Sequence, residues 1–180
     1  MKRKQFDHTI RAAGAILATD QVLVIGSQAI HGSTDIEIPE AERSIEVDIA
    51  ALKDPDGAKA DLIDGSIGEL SIFQETFGYY AQGVTPDTAV LPAGWRNRLV
   101  VYESPSTNGV KALCLEIHDL WISKAIANRE KDRDFCVALL ERKLVHRETL
   151  LARLKKVRGL DPQSKRLLSE VIQSSSWFQD

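Results

Sequence analysis

The chain has 180 residues, of which 43% are hydrophobic and 27% charged, with a net charge of −3. That is enough to bury a real core, and it excludes a polycation that coats nucleic acid with its whole surface. No apolar run approaches the roughly 20 residues that span a bilayer.

Phe6, Ile10, Ala13, Gly14 and Leu17 recur at helical spacing and predict a first helix over 5–18. Met1 to Lys4 is basic, but the segment after it is too polar for a secretory leader, so a cytoplasmic location without membrane contact is expected. Val22 to Ile25 reads as a buried strand that runs into a tight turn at Gly26-Ser27. Residues 31–43 contain Gly32 and Pro39 and read as a loop with room for one helical turn. Ser44 to Ile49 has a period of two, with Ile45, Val47 and Ile49 facing one way and Ser44, Glu46 and Asp48 the other. Asp61 to Leu70 reads as a short helix interrupted by Gly65 and Gly68. Phe77–Val84, Arg98–Glu103 and Lys111–Ile117 read as strands, with turns at Pro86 and at Leu91-Pro92-Ala93-Gly94. Helices are predicted over 118–129, 132–142, 147–157 and 161–173. The composition shift near residue 118 divides an α/β core, 1–117, from a C-terminal helical region, 118–180, expected to pack on it as one unit.

The acidic strand carries the sharpest chemistry. Alternate residues on a strand share a face with Cα atoms roughly 6.5 Å apart, and two carboxylates so placed repel unless a cation or solvent intervenes. Hard oxygen donors suit Mg²⁺, which takes one or two carboxylates plus substrate phosphates. The bland reading of Glu46 and Asp48 is a solvated sheet face. Gly26-Ser27 adds backbone N–H groups and a hydroxyl at a strand end, suited to phosphate oxygens, though a Gly-Ser turn alone is common. Lys124 has Leu120, Trp121 and Ala127 as helical neighbours, so its ammonium either snorkels to water or meets an anion. Arg129, Lys131, Asp132 and Asp134 form a charge run. It reads either as a solvated corner with Asp132 capping the next helix, or as Arg129 or Lys131 neutralising a nucleotide.

His118 and His31 read as structural more readily than catalytic, and Trp95, Trp121 and Trp177 as packing. Cys114 and Cys136 read as buried free thiols of a reducing compartment. The basic residues Arg142, Lys143, Arg147, Arg153, Lys155, Lys156, Arg158, Lys165 and Arg166 read as solvated sides of amphipathic helices, and nucleic-acid binding through them is the weakest functional reading.

Val24 to Gly32 followed by Ser44 to Asp48 resembles the polymerase-β-like nucleotidyltransferase superfamily, and within it a small bacterial group related to AbiE-type toxins. The likeness continues through Phe77 to Tyr80, Leu91 to Arg96, Leu115 to Leu120, Lys124 and Arg129 to Asp132. It implies an α/β (α+β) fold, a mixed sheet flanked by helices with a C-terminal helical bundle. It also implies Gly26 and Ser27 on a triphosphate, Glu46 and Asp48 on Mg²⁺ or Mn²⁺, and Lys124 on the phosphates. The implied reaction transfers a nucleoside monophosphate from an NTP to RNA, such as a tRNA end, or to a protein, with a cognate antitoxin as a further partner. The acidic pair lies farther beyond Gly-Ser than is usual in the superfamily and begins with Glu. A third carboxylate often completes such sites, and Glu103 and Glu116 are the residues available. The rival reading keeps the fold as a non-catalytic nucleotide-binding or interaction module.

Overall fold

The computed structural model describes residues 1–174. A helix α1 (Arg3–Ile16) precedes β1 (Gln21–Val24), followed by a 3₁₀ segment (Ser27–Gly32), the single turn α2 (Pro39–Glu42) and β2 (Glu46–Ala50). Next come α3 (Ala58–Ile67), α4 (Ile72–Phe77), β3 (Tyr80–Gly83), β4 (Val100–Tyr102) and β5 (Lys111–Cys114). The remaining described elements are helical: α5 (Ile117–Ala127), α6 (Glu130–Glu141), α7 (Arg147–Lys155) and α8 (Pro162–Ser174).

The five strands form one mixed sheet in the order β3-β2-β1-β5-β4, so the predicted mixed sheet flanked by helices is found. β1 pairs antiparallel with β2 and parallel with β5, while β2 pairs parallel with β3 and β4 antiparallel with β5. Its centre is apolar throughout: Val22, Leu23, Val24, Val47, Ile49, Ala81, Ala112 and Cys114 are essentially inaccessible. Phe6, Ile10 and Ala13 of α1 pack into the same core, as their spacing predicts. No helix among the described residues is long and apolar enough to cross a membrane.

Several boundaries differ from the sequence reading. Phe77 ends α4 rather than opening a strand, because Ser71 accepts a hydrogen bond from the Gln74 N–H and starts a turn of helix that periodicity did not reveal. Ile117 begins α5 rather than closing β5, since the Glu116 side chain caps the helix from the Asp119 N–H. Gly26-Ser27 opens a 3₁₀ segment instead of a simple turn. Ile45 lies outside β2 and is 49% exposed, so the apolar face of that strand is Val47 and Ile49.

Asp119 joins the sheet-bearing part to the helices. It is inaccessible to solvent, receives Arg98 Nε at 2.7 Å from the segment before β4, and pairs with Arg153 Nε of α7 at 3.2 Å. A buried carboxylate stays ionised only with such compensation. Trp121 is packing, as read from sequence: it donates from Nε1 to the Cys136 carbonyl inside the core. Trp95 packs against the core with the Arg96 guanidinium over its ring, and Trp177 lies outside the described residues. Both cysteines are buried free thiols, with the Cys114 thiol pushed up to about 12 by burial.

Candidate functional site

Because β1 and β2 are antiparallel, the end of β1 meets the beginning of β2, and Gly26-Ser27 lies beside Glu46 and Asp48. The contact is close. A Cβ built on Gly26 would fall inside the Asp48 carboxylate, so only glycine lets the backbone at 26 approach that side chain. Burial raises the pKa of Asp48 above its ordinary value, and Glu46 pushes the same way. Lys124, Lys131 and Arg129 pull against both. Asp48 is thus a carboxylate whose charge is costly without a cation.

Glu46 and Asp48 share a face, and both Glu46 oxygens are engaged. Lys131 Nζ lies 3.3 Å from Oε1, and the Tyr80 hydroxyl donates to Oε2 at 3.0 Å. Tyr80 stands opposite Glu46 in the parallel register with β3, and Gln82 stands opposite Asp48. Burial, then the bond to Glu46, pushes the Tyr80 phenol up to about 12, so it acts as a donor across the physiological range.

α5 packs on the 3₁₀ segment that carries Ser27 and brings Lys124 to the same place. Ser27, Glu46, Lys124 and Lys131 line one pocket together with Glu40, Arg43, Ser44, Asp132, Asp134 and Phe135. Its near wall is the α2 turn, held to α6 by Arg43–Asp134 at 3.4 Å and Arg142–Glu40 at 3.6 Å.

Of the two sequence readings of Lys124, the anion prevails, and the anion belongs to the protein. Lys124 Nζ sits 3.3 Å from Asp132, whose side chain is only 2% exposed, and Arg129 Nε binds the same carboxylate at 2.6 Å. Asp132 also accepts from the Arg129 N–H, but from inside the first turn: α6 starts at Glu130, two residues before its expected start, and Arg129 rather than Asp132 takes the N-cap position. Arg129 therefore stands at the start of α6 with its head turned to Asp132, and it is not among the residues lining the pocket.

Asp132 was visible in the sequence only as a cap. Tyr80 was read only as part of a strand and of the family likeness, and Glu40 and Arg43 carried no signal, since strand register and the seating of α2 on α6 bring these side chains in. The third-carboxylate candidates lie elsewhere. Glu103 is exposed beyond β4, and Glu116 caps α5 while binding His118. His118 accepts from the His146 N–H through Nε2 and packs against its ring, a structural role. His31 packs on Phe6, and burial lowers its pKa to about 4, which keeps it neutral.

The match that decides the family covers residues 4–163 and is described as a nucleotidyltransferase of unknown function, DUF6036. The chain belongs to that family. Comparison with curated proteins and with solved structures gave no match. As a DUF6036 member the chain is, at the coarse level, a nucleotidyltransferase, and the Gly-Ser turn and acidic strand lie inside the matched span.

The donor set of this DUF6036 chain can be tested against a divalent ion. Among the described residues no group of three His, Cys, Asp or Glu side chains is gathered for a metal. Glu46 and Asp48 nevertheless fit Mg²⁺ or Mn²⁺. Both are hard oxygen donors on one face, Asp48 lacks a directly bonded cation, and water and phosphate can complete the shell.

One expected outcome follows from the Lys124–Asp132 pair. Lys124→Met should destabilise the nucleotide-free protein by about 1–3 kcal/mol, because the buried Asp132 carboxylate loses one of its two cationic partners and keeps only Arg129. Denaturant unfolding of the two proteins measures this. An unpaired cation on an apolar face would instead give no loss or a gain.

Proposed function

We propose that the chain transfers a nucleoside monophosphate from an NTP to an acceptor hydroxyl on RNA or protein, with release of pyrophosphate. The observation that carries the reading is the close approach of the Gly26 backbone to Asp48, beside a pocket lined by Ser27, Glu46, Lys124 and Lys131. Glu46 and Asp48 would hold Mg²⁺ or Mn²⁺, which when bound supplies charge neutralisation at the phosphates and activation of the acceptor oxygen. Gly26 contributes backbone at the phosphates and Ser27 a hydroxyl. Lys124 offsets triphosphate charge from a position already fixed by Asp132. Lys131 and Arg129 extend that positive side, and Tyr80 orients Glu46 through Oε2.

The test is thermal: Mg²⁺ or Mn²⁺ together with a nonhydrolysable NTP should raise the melting temperature more than either alone. Incubation with labelled NTP then reads transfer. Ser27→Ala removes one hydroxyl contact, worth about 1 kcal/mol or somewhat more toward a charged acceptor, so NTP affinity should fall several-fold. Ser27→Tyr would fill the pocket beside Glu46 and should block binding. An unchanged affinity in that variant contradicts the placement.

A second reading, a nucleotide-binding module without catalysis, draws on a specific observation. The β3 positions opposite Glu46 and Asp48 hold Tyr80 and Gln82 rather than an acid. Nucleotide binding with no label transferred to any acceptor would favour it. A toxin–antitoxin setting with a cognate antitoxin rests on the sequence likeness, and a cytoplasmic location, part of the same proposal, on the polar segment after Met1 to Lys4 and the lack of a long apolar run.

A further inference from the structure

Two features of the surface around the pocket bear on which acceptor fits. The cations that line it are already matched within the chain, Arg43 by Asp134, Lys131 by Glu46 and Lys124 by Asp132, and so are two off the lining, Arg129 by Asp132 and Arg142 by Glu40. They can offset one triphosphate with its ion, but they leave little surplus for a polyanion, whose affinity comes from phosphate contacts with Lys and Arg.

The adjoining corner is also the reverse of a nucleic-acid surface. Residues 60–95 contain neither lysine nor arginine, while Asp61, Asp64, Glu69, Glu75 and Asp87 fall within them. This stretch exposes large apolar side chains: Leu70, between α3 and α4, at 94%, and Ile72 and Phe77, at the two ends of α4, at 80% and 46%. Leu70 has φ 61°, a conformation uncommon for leucine, and its side chain is almost wholly in solvent.

This corner flanks the candidate site. α4 leads directly into β3, whose Tyr80 bonds Glu46, and the Glu69 charge acts on the Tyr80 hydroxyl. Soluble monomers seldom place adjacent large apolar side chains fully in water without a partner for them.

We propose that the acceptor is a polypeptide, docked through basic and apolar residues on the Glu69–Phe77 corner so that a Ser, Thr or Tyr hydroxyl enters the pocket. This rests on the nucleotidyl-transfer reading above. The hydroxyl oxygen forms a bond to the α-phosphorus of the NTP, and the bond from that phosphorus to the α,β-bridging oxygen breaks. Pyrophosphate leaves, and the hydroxyl proton goes to solvent. Charge complementarity selects the occupant: Glu69 and Glu75 flank these apolar side chains in a stretch without lysine or arginine, which disfavours RNA and favours Lys- or Arg-rich chain with apolar anchors.

The experiment uses the full chain with Mg²⁺ and an NTP labelled at the α-phosphate. It is offered a peptide library with a central Ser, Thr or Tyr and fully degenerate flanks, and in parallel total RNA. Labelled peptides should outnumber labelled RNA at least tenfold and be enriched in Lys or Arg and apolar flanking residues. Leu70→Ser with Ile72→Ser alters only exposed side chains. It should cut peptide labelling at least fivefold and erase the flank preference, while melting temperature and NTP affinity stay unchanged.

Label on RNA, enrichment of acidic flanks, or wild-type labelling by the double variant overturns the proposal. Label on the chain itself with the peptides untouched makes a second copy the acceptor and also overturns it. NTP bound with neither peptide nor RNA labelled removes the polypeptide acceptor while leaving nucleotide binding in place. A chain that binds no NTP removes the underlying reading as well.

Discussion

Asp48→Asn is expected to abolish metal-dependent nucleotide binding and, in the same protein, to stabilise the nucleotide-free fold. The two effects share one cause. Asp48 is half-buried, and burial with the neighbouring Glu46 charge raises its pKa against the pull of Lys124, Lys131 and Arg129. A carboxyl whose pKa is higher in the folded than in the unfolded chain contributes stability at low pH, and that contribution is lost as pH rises through the folded value. At neutral pH the ionised group therefore acts against the fold. Asparagine keeps the shape, removes the charge, and should remove this part of the pH dependence. Unfolding midpoints of both proteins from pH 4 to 8 should diverge as pH rises, with the variant ahead. Isothermal titration with Mn²⁺ and a nonhydrolysable NTP should show wild-type binding and none in the variant. Wild-type affinity in Asp48→Asn would remove Asp48 from the site. Equal midpoints at every pH would remove the argument from burial.

Gly26→Ala is expected to damage stability and binding together. The added methyl has no room, because the Asp48 carboxylate occupies its place. Either the turn after β1 or the Asp48 side chain must move, and both lie in the sheet centre where Val24 and Ile49 are fully buried. Overpacking of this kind costs about 1–3 kcal/mol. NTP affinity should fall at least tenfold, since the phosphate turn and the acidic residue are displaced against each other. The double variant Gly26→Ala with Asp48→Gly supplies the control: it opens the space again and should recover much of the lost stability while staying inactive in metal binding. A stable double variant beside an unstable single one isolates the contact. Equal stability of Gly26→Ala and wild type would contradict the packing.

The chemistry-bearing pattern of this chain was legible where it is local. Alternation in Glu46-Val47-Asp48-Ile49 gave the strand and its acidic face, and the run Val22 to Ile25 gave the strand that meets it. The helices from residue 117 onward were legible as helical stretches, though not the residues that cap α5 and α6. What was not legible depends on register and docking. Nothing in Phe77-Gly78-Tyr79-Tyr80 says that its last tyrosine will face Glu46, because a strand's partner is set by pairing across the sheet. Lys124 looked unpartnered because Asp132 lies on the next helix, and only the packing of α5 on α6 brings them within 3.3 Å. The α4 turn was hidden because its apolar residues, Ile72, Phe73 and Phe77, fit a strand as readily as six residues of helix.

The salt link through Asp119 bears on how the protein can be divided. Its carboxylate belongs to α5, one of its arginines to the segment before β4 and the other to α7. A truncation after residue 117 would leave Arg98 with its charge facing an emptied interior, and would take Lys124 away with the helices. The sheet-bearing part is therefore a poor unit for recombination. A chimera that swaps helical regions between relatives must carry both arginine positions and the aspartate as one inherited block, however independent the two stretches look in composition.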